Sequence, residues 1–344
     1  MKTGPTDRLV TTHFPSHQKI LYCVLNWGLG HASRSIPVIE ALLQKGNEIT
    51  LASDGMPLAL LRRTFPDLPT KELPAYGIRY PRASILQNML LQAWSINKAI
   101  RKENMAVEHL YDNHGYDYII SDNRPGCYHP ACTSIFISHQ LEPHHPNAIV
   151  RWLFKHVNQW HFRHFQQLWV PDDDQWCLSG NLSKADFEKP EVLWIGLCSQ
   201  MIGGGRIPEK KIALILSGPE PQRSFLEAIL IKQLSGFKDY EVTLVRGTDQ
   251  GTHLDLPTHW EVIHLADAGQ VNQLMHTSAL VVCRSGYSTL ADLAVTGCPA
   301  LLIPTPGQTE QEYLAERHRL RWPGISQKDF TLSVLQKVLE EGEK

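Results

Sequence analysis

A histidine behind a glycine turn, Gly28-Leu29-Gly30-His31, is the first residue in this chain with the type and setting to do chemistry. The apolar run Ile20–Leu25 leads into it and a helical pattern follows, which predicts His31 at a helix mouth beyond the carboxyl end of a strand. An imidazole there, with an ordinary pKa of about 6.5, suits a general base that takes a proton from a hydroxyl. The positive end of the helix would keep it neutral. A structural histidine bonding the turn is the alternative, and Arg34 reads either as a nearby positive charge or as a solvated surface group. Gly28 and Gly30 let a backbone or ligand approach, and the free N–H groups of the helix start could hold an anion. A tight turn for helix–sheet packing reads from the same residues. The G-x-G-x-x-G spacing fails at Ser33, which disfavours a dinucleotide site.

A second stretch carries more information: Val281-Val282-Cys283-Arg284-Ser285-Gly286-Tyr287-Ser288-Thr289-Leu290-Ala291-Asp292. A buried strand delivers Ser285-Gly286 to its end and a helix begins at once, so the N–H groups from Gly286 through Tyr287 and Ser288 to Thr289 could hold a diphosphate without a metal. Asp292 has two readings, the acidic end of a Thr289-x-x-Asp292 capping box or a carboxylate that accepts from a ribose diol. Farther on, Gln308, Glu310, Gln311 and Glu312 crowd one helix start with the fixed donors and acceptors that sugar hydroxyls need. A polar helix terminus is the plain alternative.

Three weaker signals stand on the N-terminal side. His139-Gln140-Leu141-Glu142-Pro143-His144-His145 is rich in ligand types but lacks a zinc spacing, so an acceptor-side loop is expected before a metal site. Asp122-Asn123-Arg124, at another strand end, could hold acceptor hydroxyls or simply turn the chain. The aromatic segment Trp152-Leu153-Phe154 to Phe165, interleaved with Arg151, Lys155, Arg163 and histidines, could lie on a membrane; a core-facing helix with a basic outer face is the expected form.

The elements that position these residues repeat one grammar twice. Strands are expected at Ile20–Leu25, Ile49–Ala52, Tyr118–Ser121, Ile135–Ser138, Leu168–Val170 and Val192–Ile195, separated by helical stretches. Gly46 should stop the first helix. After a glycine-rich connector, Ser199–Arg206, strands restart at Ile212–Leu216, Val242–Val245, Val262–Leu265, Leu280–Cys283 and Pro299–Pro304. A last helix is expected around Leu332–Leu339. The fold class is therefore α/β, with two Rossmann-like doubly wound domains facing across a cleft: a loose extension over 1–18, an acceptor domain over 19–200 and a donor domain over 207–344. The glycines at 203–205 would be the hinge.

Bulk properties fit an ordinary two-domain protein. The chain has 344 residues, 42% hydrophobic and 20% charged, and a formal net charge of −2, so no global field draws it to nucleic acid. Seven scattered cysteines without a CxxC pair suggest buried thiols in a reducing compartment. No signal peptide or spanning run is seen, which makes the cytoplasm the expected location, with peripheral contact at the inner face of a membrane.

Together, Gly28-Leu29-Gly30-His31, Cys283-Arg284-Ser285-Gly286 through Asp292, Gly297-Cys298-Pro299-Ala300-Leu301-Leu302-Ile303-Pro304 and the Gln311-bearing helix resemble the peptidoglycan N-acetylglucosaminyltransferase family (MurG-type, glycosyltransferase family 28) within the GT-B group. The resemblance is continuous over about 262–316. It implies a GT-B fold, with His31 as base and Asp292 as the ribose ligand. Gln311 and Glu312 would lie at the donor sugar, Ser217-Gly218 at the diphosphate and Leu265 where backbone reads a uracil edge. Two departures stand out: the family's fuller glycine loop is reduced to Ser217-Gly218-Pro219, and Glu312 replaces an amide, which bears on N-acetylglucosamine as donor sugar. The expected activity is an inverting, metal-independent glycosyltransferase. It would move a sugar from a nucleotide-diphosphate sugar, UDP-linked by resemblance, to an acceptor hydroxyl. The nucleotide-sugar is a co-substrate and no cofactor is implied; the acceptor is a lipid-linked molecule or a glycan. A nucleotide-sugar hydrolase or 2-epimerase, or a non-catalytic nucleotide-sugar-binding protein, are the alternatives.

Overall fold

The apolar runs become strands of two parallel sheets in a computed structural model that describes residues 4–77, 85–175, 178–184, 189–248 and 255–342. Residue contacts divide the chain into the units Pro5–Gln200 and Met201–Lys344.

The first unit runs β1 (Lys19–Val24), α1 (Gly30–Gln44), β2 (Glu48–Ser53), α2 (Gly55–Thr64), β3 (Thr70–Glu72), α3 (Ile85–His114), β4 (Tyr118–Asp122), β5 (Thr133–Ile137), α4 (Ala148–Phe162), β6 (Gln167–Val170) and β7 (Glu191–Trp194). The strands order as β3-β2-β1-β4-β5-β6-β7, and every pairing is parallel. β1 is apolar from Ile20 onward because both its faces are covered there. Ile20, Tyr22 and Val24 pack with Ile36, Ile39 and Leu42 of α1, while Leu21 and Cys23 join Val107 of α3. α1 stops at Gly46, whose φ of 76° is open to glycine at no steric cost.

Two expectations for this unit are corrected. The segment over 4–18 is not loose: it forms short 3-10 turns, Thr6–Arg8 and Thr11–His13, and Val10 N–H donates to Ile195 O at 3.0 Å. Phe14 is buried and stacks on Trp169 with ring centroids 4.5 Å apart, which anchors the segment by aromatic burial. The aromatic helix α4 is turned the other way from the expectation. Among its residues only Phe162 is fully buried, while Ile149, Trp152, Leu153, Val157 and Trp160 are exposed.

The second unit runs β8 (Glu209–Ile215), α5 (Gln222–Leu234), β9 (Glu241–Val245), β10 (Glu261–Ile263), α6 (Ala268–Thr277), β11 (Ser278–Cys283), α7 (Tyr287–Thr296), β12 (Ala300–Leu302), α8 (Thr309–Arg317) and α9 (Leu332–Gly342). Its sheet orders as β10-β9-β8-β11-β12, again parallel. Leu226, Leu230 and Leu234 of α5 and Leu335 and Leu339 of α9 cover one face. The connector expected to be flexible is fastened from Ile202 onward: Ile202 N–H donates to Asn272 Oδ1 at 2.9 Å, and Arg206 Nε to Met275 O at 3.1 Å.

In each sheet the strand order reverses once, between β1 and β4 in the first and between β8 and β11 in the second. Loops diverge at such a reversal and leave a crevice beyond the carboxyl ends of the strands. The two glycine turns of the sequence lie at these two points. No helix among the described residues is long and apolar enough to cross a membrane, and the six described cysteines are free.

Candidate active site

At the first reversal, β4 ends in Asp122 and α1 begins just after β1, which brings two residues far apart in sequence into contact. His31, the second residue of α1, places Nδ1 2.7 Å from Asp122 Oδ1. Asp122 is fully buried. Its other contacts come from the same helix: Arg34 Nε donates to Oδ2 at 2.8 Å, Arg34 Nη2 donates to Oδ1, and Ser35 Oγ donates to Oδ2 at 3.0 Å. Positions 31, 34 and 35 share one helix face by the i, i+3, i+4 rule, so the spacing His-x-x-Arg-Ser was the available signal for this cluster. Arg34 Nη1 also donates to Nδ1 of His139, in the loop after β5, at 3.0 Å.

The electrostatics follow from this packing. Burial works against a charged Asp122, but Arg34 and His31 outweigh it and hold its carboxyl well below the usual range. Burial and the neighbouring Arg34 cation lower the His31 pKa, with Asp122 pulling the other way. His31 keeps a partly open face, with its side chain 14% exposed. An ionised Asp122 accepts a hydrogen bond from Nδ1–H, which leaves Nε2 with the lone pair of a base.

Asp122 is therefore not an acceptor-hydroxyl ligand, because both its oxygens are spent inside the protein. Asn123 turns the chain with φ 59°, the left-handed conformation that Asn tolerates. Arg124 is buried as well: Nη1 donates to Asp54 Oδ1 at 2.8 Å, Nε to Glu103 of α3, and Nη2 to Pro74 O at 2.7 Å. No local pattern marked Glu103 as the partner of a residue 21 positions away. His139 is buried against Arg34 instead of facing out, and Gln140 is half-buried with its N–H on Ser138 Oγ at 3.0 Å. Gly28, with φ 81°, and Gly30 are exposed at the turn before His31. Among the described residues no group of three or more His, Cys, Asp or Glu is placed to hold a metal.

At the second reversal, Gly286 is the N-cap of α7, so Tyr287, Ser288 and Thr289 form the first turn. This removes the capping-box reading, because Thr289 and Asp292 both lie inside the helix; the capping box of this unit is Asp267 with Gln270, at α6. Asp292 is half-buried, one turn in from the glycine. Ser285 is buried and its Oγ donates to Gln311 O at 2.7 Å, tying the loop to α8. The Gln311 side chain is also buried: Oε1 accepts from Thr305 N–H at 2.8 Å, and Nε2 lies 3.9 Å from where a Cβ on Gly286 would stand. A Cβ on Gly218, where φ is 101°, would meet Thr305 Oγ1 at the same distance. Ser285, Gly286, Gln311, Thr305 and Gly218 thus form one continuous patch, with Ser217 exposed on its loop. Buried Arg284 fastens the surrounding loops, donating to Ile303 O at 3.1 Å, Pro304 O at 3.2 Å and Gln222 O at 2.8 Å. Burial pushes its pKa down to about 10.

Two donor-side residues stand apart from this patch. Glu312 is exposed, accepts from Gly307 N–H at 2.9 Å, and lines a cavity of about 510 Å³ together with Ile229, Pro306 and Arg319. Leu265, two residues past β10, is 43% exposed.

Residues 215–344 match the family model of the glycosyltransferase family 28 C-terminal domain. The UDP-N-acetylglucosamine--N-acetylmuramyl-(pentapeptide) pyrophosphoryl-undecaprenol N-acetylglucosamine transferase of Methylobacterium nodulans is 46% identical over 61 residues, 17% of this chain and 16% of that protein. The Moorella thermoacetica enzyme of the same name is 25% identical over 169 residues, 45% of this chain and 43% of that one. The chain thus spans less than half the length of these curated relatives. Among solved structures, the glycosyltransferase SnogD from Streptomyces nogalater has a TM-score of 0.64 at 15% identity, covering 95% of this chain and 91% of that one. Acinetobacter baumannii MurG has a TM-score of 0.53 at 12% identity, covering 96% and 91%. The fold is GT-B, and the family model, the curated relatives and the SnogD structure carry glycosyltransferase names.

Proposed function

We propose that the chain is an inverting, metal-independent glycosyltransferase that moves a hexose from a UDP-sugar to an acceptor hydroxyl. The observation that carries this reading is the His31–Asp122 pair, a neutral imidazole held by an ionised carboxylate at the first strand-order reversal. The acceptor hydroxyl gives its proton to His31 Nε2 while its oxygen bonds to the anomeric carbon. The bond from that carbon to the diphosphate oxygen breaks with its electron pair, and the configuration inverts. Charge on the leaving diphosphate is taken by N–H groups from Gly286 to Thr289 at the positive end of α7. Asp292 is assigned to the ribose and Gln311 to the sugar. UDP rests on the donor printed in the names of the curated relatives and on the place of Leu265 after β10.

For the acceptor we propose a lipid-linked molecule met at an anionic membrane surface. Support comes from α4, where Trp152, Trp160, Ile149 and Leu153 are exposed on a helix that also carries Arg151 and Lys155, with Arg163 stacked over Trp160. Aromatic and aliphatic groups beside cations are the composition of an interfacial helix.

The deciding experiment is a panel of nucleotide-sugars read first by thermal shift and then by product analysis. A ligand at 100 times its dissociation constant stabilises by about 2.7 kcal/mol. Stabilisation by UDP-sugars, transfer that persists in EDTA and a product of inverted anomeric configuration are expected. Absence of stabilisation by every nucleotide-sugar would sink the reading, and a retained configuration or loss of transfer in EDTA would overturn its mechanism.

A further inference from the structure

We propose that Arg34 is the positioning residue that decides which nitrogen carries the proton in two imidazoles at once, Nδ1 in His31 and Nε2 in His139. The consequence for catalysis rests on the reading of His31 as the base; the tautomers themselves do not.

Nδ1 of His31 has two polar neighbours that ask opposite things of it. Asp122 Oδ1, at 2.7 Å, needs a proton there, whereas Arg34 Nη2, at 2.9 Å, can only donate and needs a lone pair. If the arginine prevailed, the proton would move to Nε2 and His31 could not act as a base. Arg34 itself settles the competition. Its Nε and Nη2 grip both oxygens of Asp122, and with Ser35 Oγ they keep that carboxylate ionised at a fully buried position. An anion held this way is the stronger partner for Nδ1–H, so the lone pair stays on Nε2.

The far side of the same guanidinium meets the second ring. Arg34 Nη1 lies 3.0 Å from His139 Nδ1, and because a guanidinium only donates, that nitrogen must accept. The proton of neutral His139 is therefore on Nε2. One buried fork thus sets opposite tautomers in two rings that come from α1 and from the loop after β5.

Charge gives Arg34 a second effect on His31. The groups that act on the His31 imidazole are Arg34 on its own helix, Asp122 at the end of β4 and His139 after β5. Behind them, Tyr22 of β1 and Cys198, beyond β7, border Arg34 and Asp122. Among these Arg34 is the fixed cation. Its removal makes the imidazole easier to protonate in two ways, by taking away a like charge and by leaving Asp122 to act on His31 alone. Lysine would restore the charge but not the fork, since an ammonium is a point donor.

Nitrogen-15 NMR of histidine side chains in the full chain, without ligand, tests this apart from any sugar transfer. The expected wild-type spectrum shows His31 as Nδ1–H and His139 as Nε2–H, with His31 titrating below an ordinary imidazole. Arg34→Gln should raise the His31 midpoint by about one pH unit or more, the scale of a charge within hydrogen-bond reach. Arg34→Lys should keep the midpoint low while His139 loses its single tautomer. A wild-type His31 protonated on Nε2 would overturn the proposal, as would an unmoved midpoint in Arg34→Gln. If that variant does not fold, the wild-type tautomers and Arg34→Lys decide. Tautomers as stated in a protein without transferase activity would instead count against the base reading and leave the role of Arg34 intact.

Discussion

His31 Nδ1 and Asp122 Oδ1 lie 2.7 Å apart although 91 residues separate them in sequence. The contact exists because the strand order reverses between β1 and β4, which places the mouth of α1 beside the end of β4. A carboxylate on one ring nitrogen frees the other for proton transfer, and this is the arrangement a hydroxyl nucleophile needs.

Asp122→Asn should therefore cost far more in turnover than in donor affinity. In a Ser-His-Asp triad, amidating the orienting carboxylate lowers kcat by about 10⁴-fold through the wrong tautomer. We expect a fall of at least about 10²-fold here, the lower range of general-base catalysis, with UDP affinity unchanged. The substitution also leaves Arg34 buried without its anion, at a cost of about 3–5 kcal/mol. Thermal unfolding is to be measured first, and turnover is then compared at a temperature where the variant remains folded. Turnover close to wild type would remove the pair from the mechanism.

The pH profile carries a sign that follows from His31. With His31 as the proposed base the neutral ring would be the active form, and burial with Arg34 lowers its pKa from the ordinary value. Activity should hold from neutral pH down through about 6.5, the ordinary imidazole value, and fall only as the depressed pKa is crossed. Stability changes in the same direction: between the two pKa values the unfolded chain binds a proton that the folded chain refuses, so His31 makes stability drop as pH falls through that window. His31→Gln removes this contribution. Acid-side unfolding curves of the two proteins, compared at matched pH, should converge as pH falls. An acid limb of kcat/KM above pH 6.5 would contradict the lowered pKa.

What could be read from the sequence was whatever depends on neighbours along the chain. The run Ile20–Leu25 became β1, and Gly46 ended α1 as a left-handed stop, because period and glycine φ are local properties. Gly286 and the helix after it were legible for the same reason. Long-range pairings were not. Glu103 meets Arg124 from the middle of α3, and nothing within several residues of either records the partner. The stack of Phe14 on Trp169 lies in an apparent tail whose polar composition hides one large anchor. Asp122 was noticed, but as a ligand for hydroxyls or as part of a simple turn; only its burial shows that its oxygens are already used. α4 was expected to face the core because aromatic stripes usually do, and periodicity alone does not say which way a stripe points.

α4 gives a surface test with little risk to folding. Trp152 and Trp160 are 59% and 47% exposed, so alanine at both should leave the melting temperature near wild type. Each indole withdrawn from a lipid interface should cost about 1–2 kcal/mol, or about tenfold in partition per residue. Co-sedimentation with vesicles containing anionic lipid should fall accordingly, and raised salt should weaken the wild type as well. Equal binding of wild type and double variant would leave α4 without a membrane role.

Gly286→Ala separates ligand approach from fold at the second reversal. Gly286 has φ −72° and ψ 146°, which alanine adopts freely. The nearest atom to an added Cβ is Gln311 Nε2 at 3.9 Å, an ordinary van der Waals distance. The folded chain should therefore accept the methyl group within about 0.5 kcal/mol. The methyl nonetheless projects beside Gln311, at the first N–H groups of α7, where a diphosphate must come close to use them. Stabilisation by UDP should fall by at least about 1.4 kcal/mol, a tenfold loss of affinity, while the melting temperature without ligand stays unchanged. Gly218→Ala is the contrasting control: with φ at 101° it is strained before any ligand binds, so it should lower the melting temperature by itself. If Gly286→Ala binds UDP as wild type does, the diphosphate does not sit on the start of α7. The donor would then have to be placed elsewhere in the second unit.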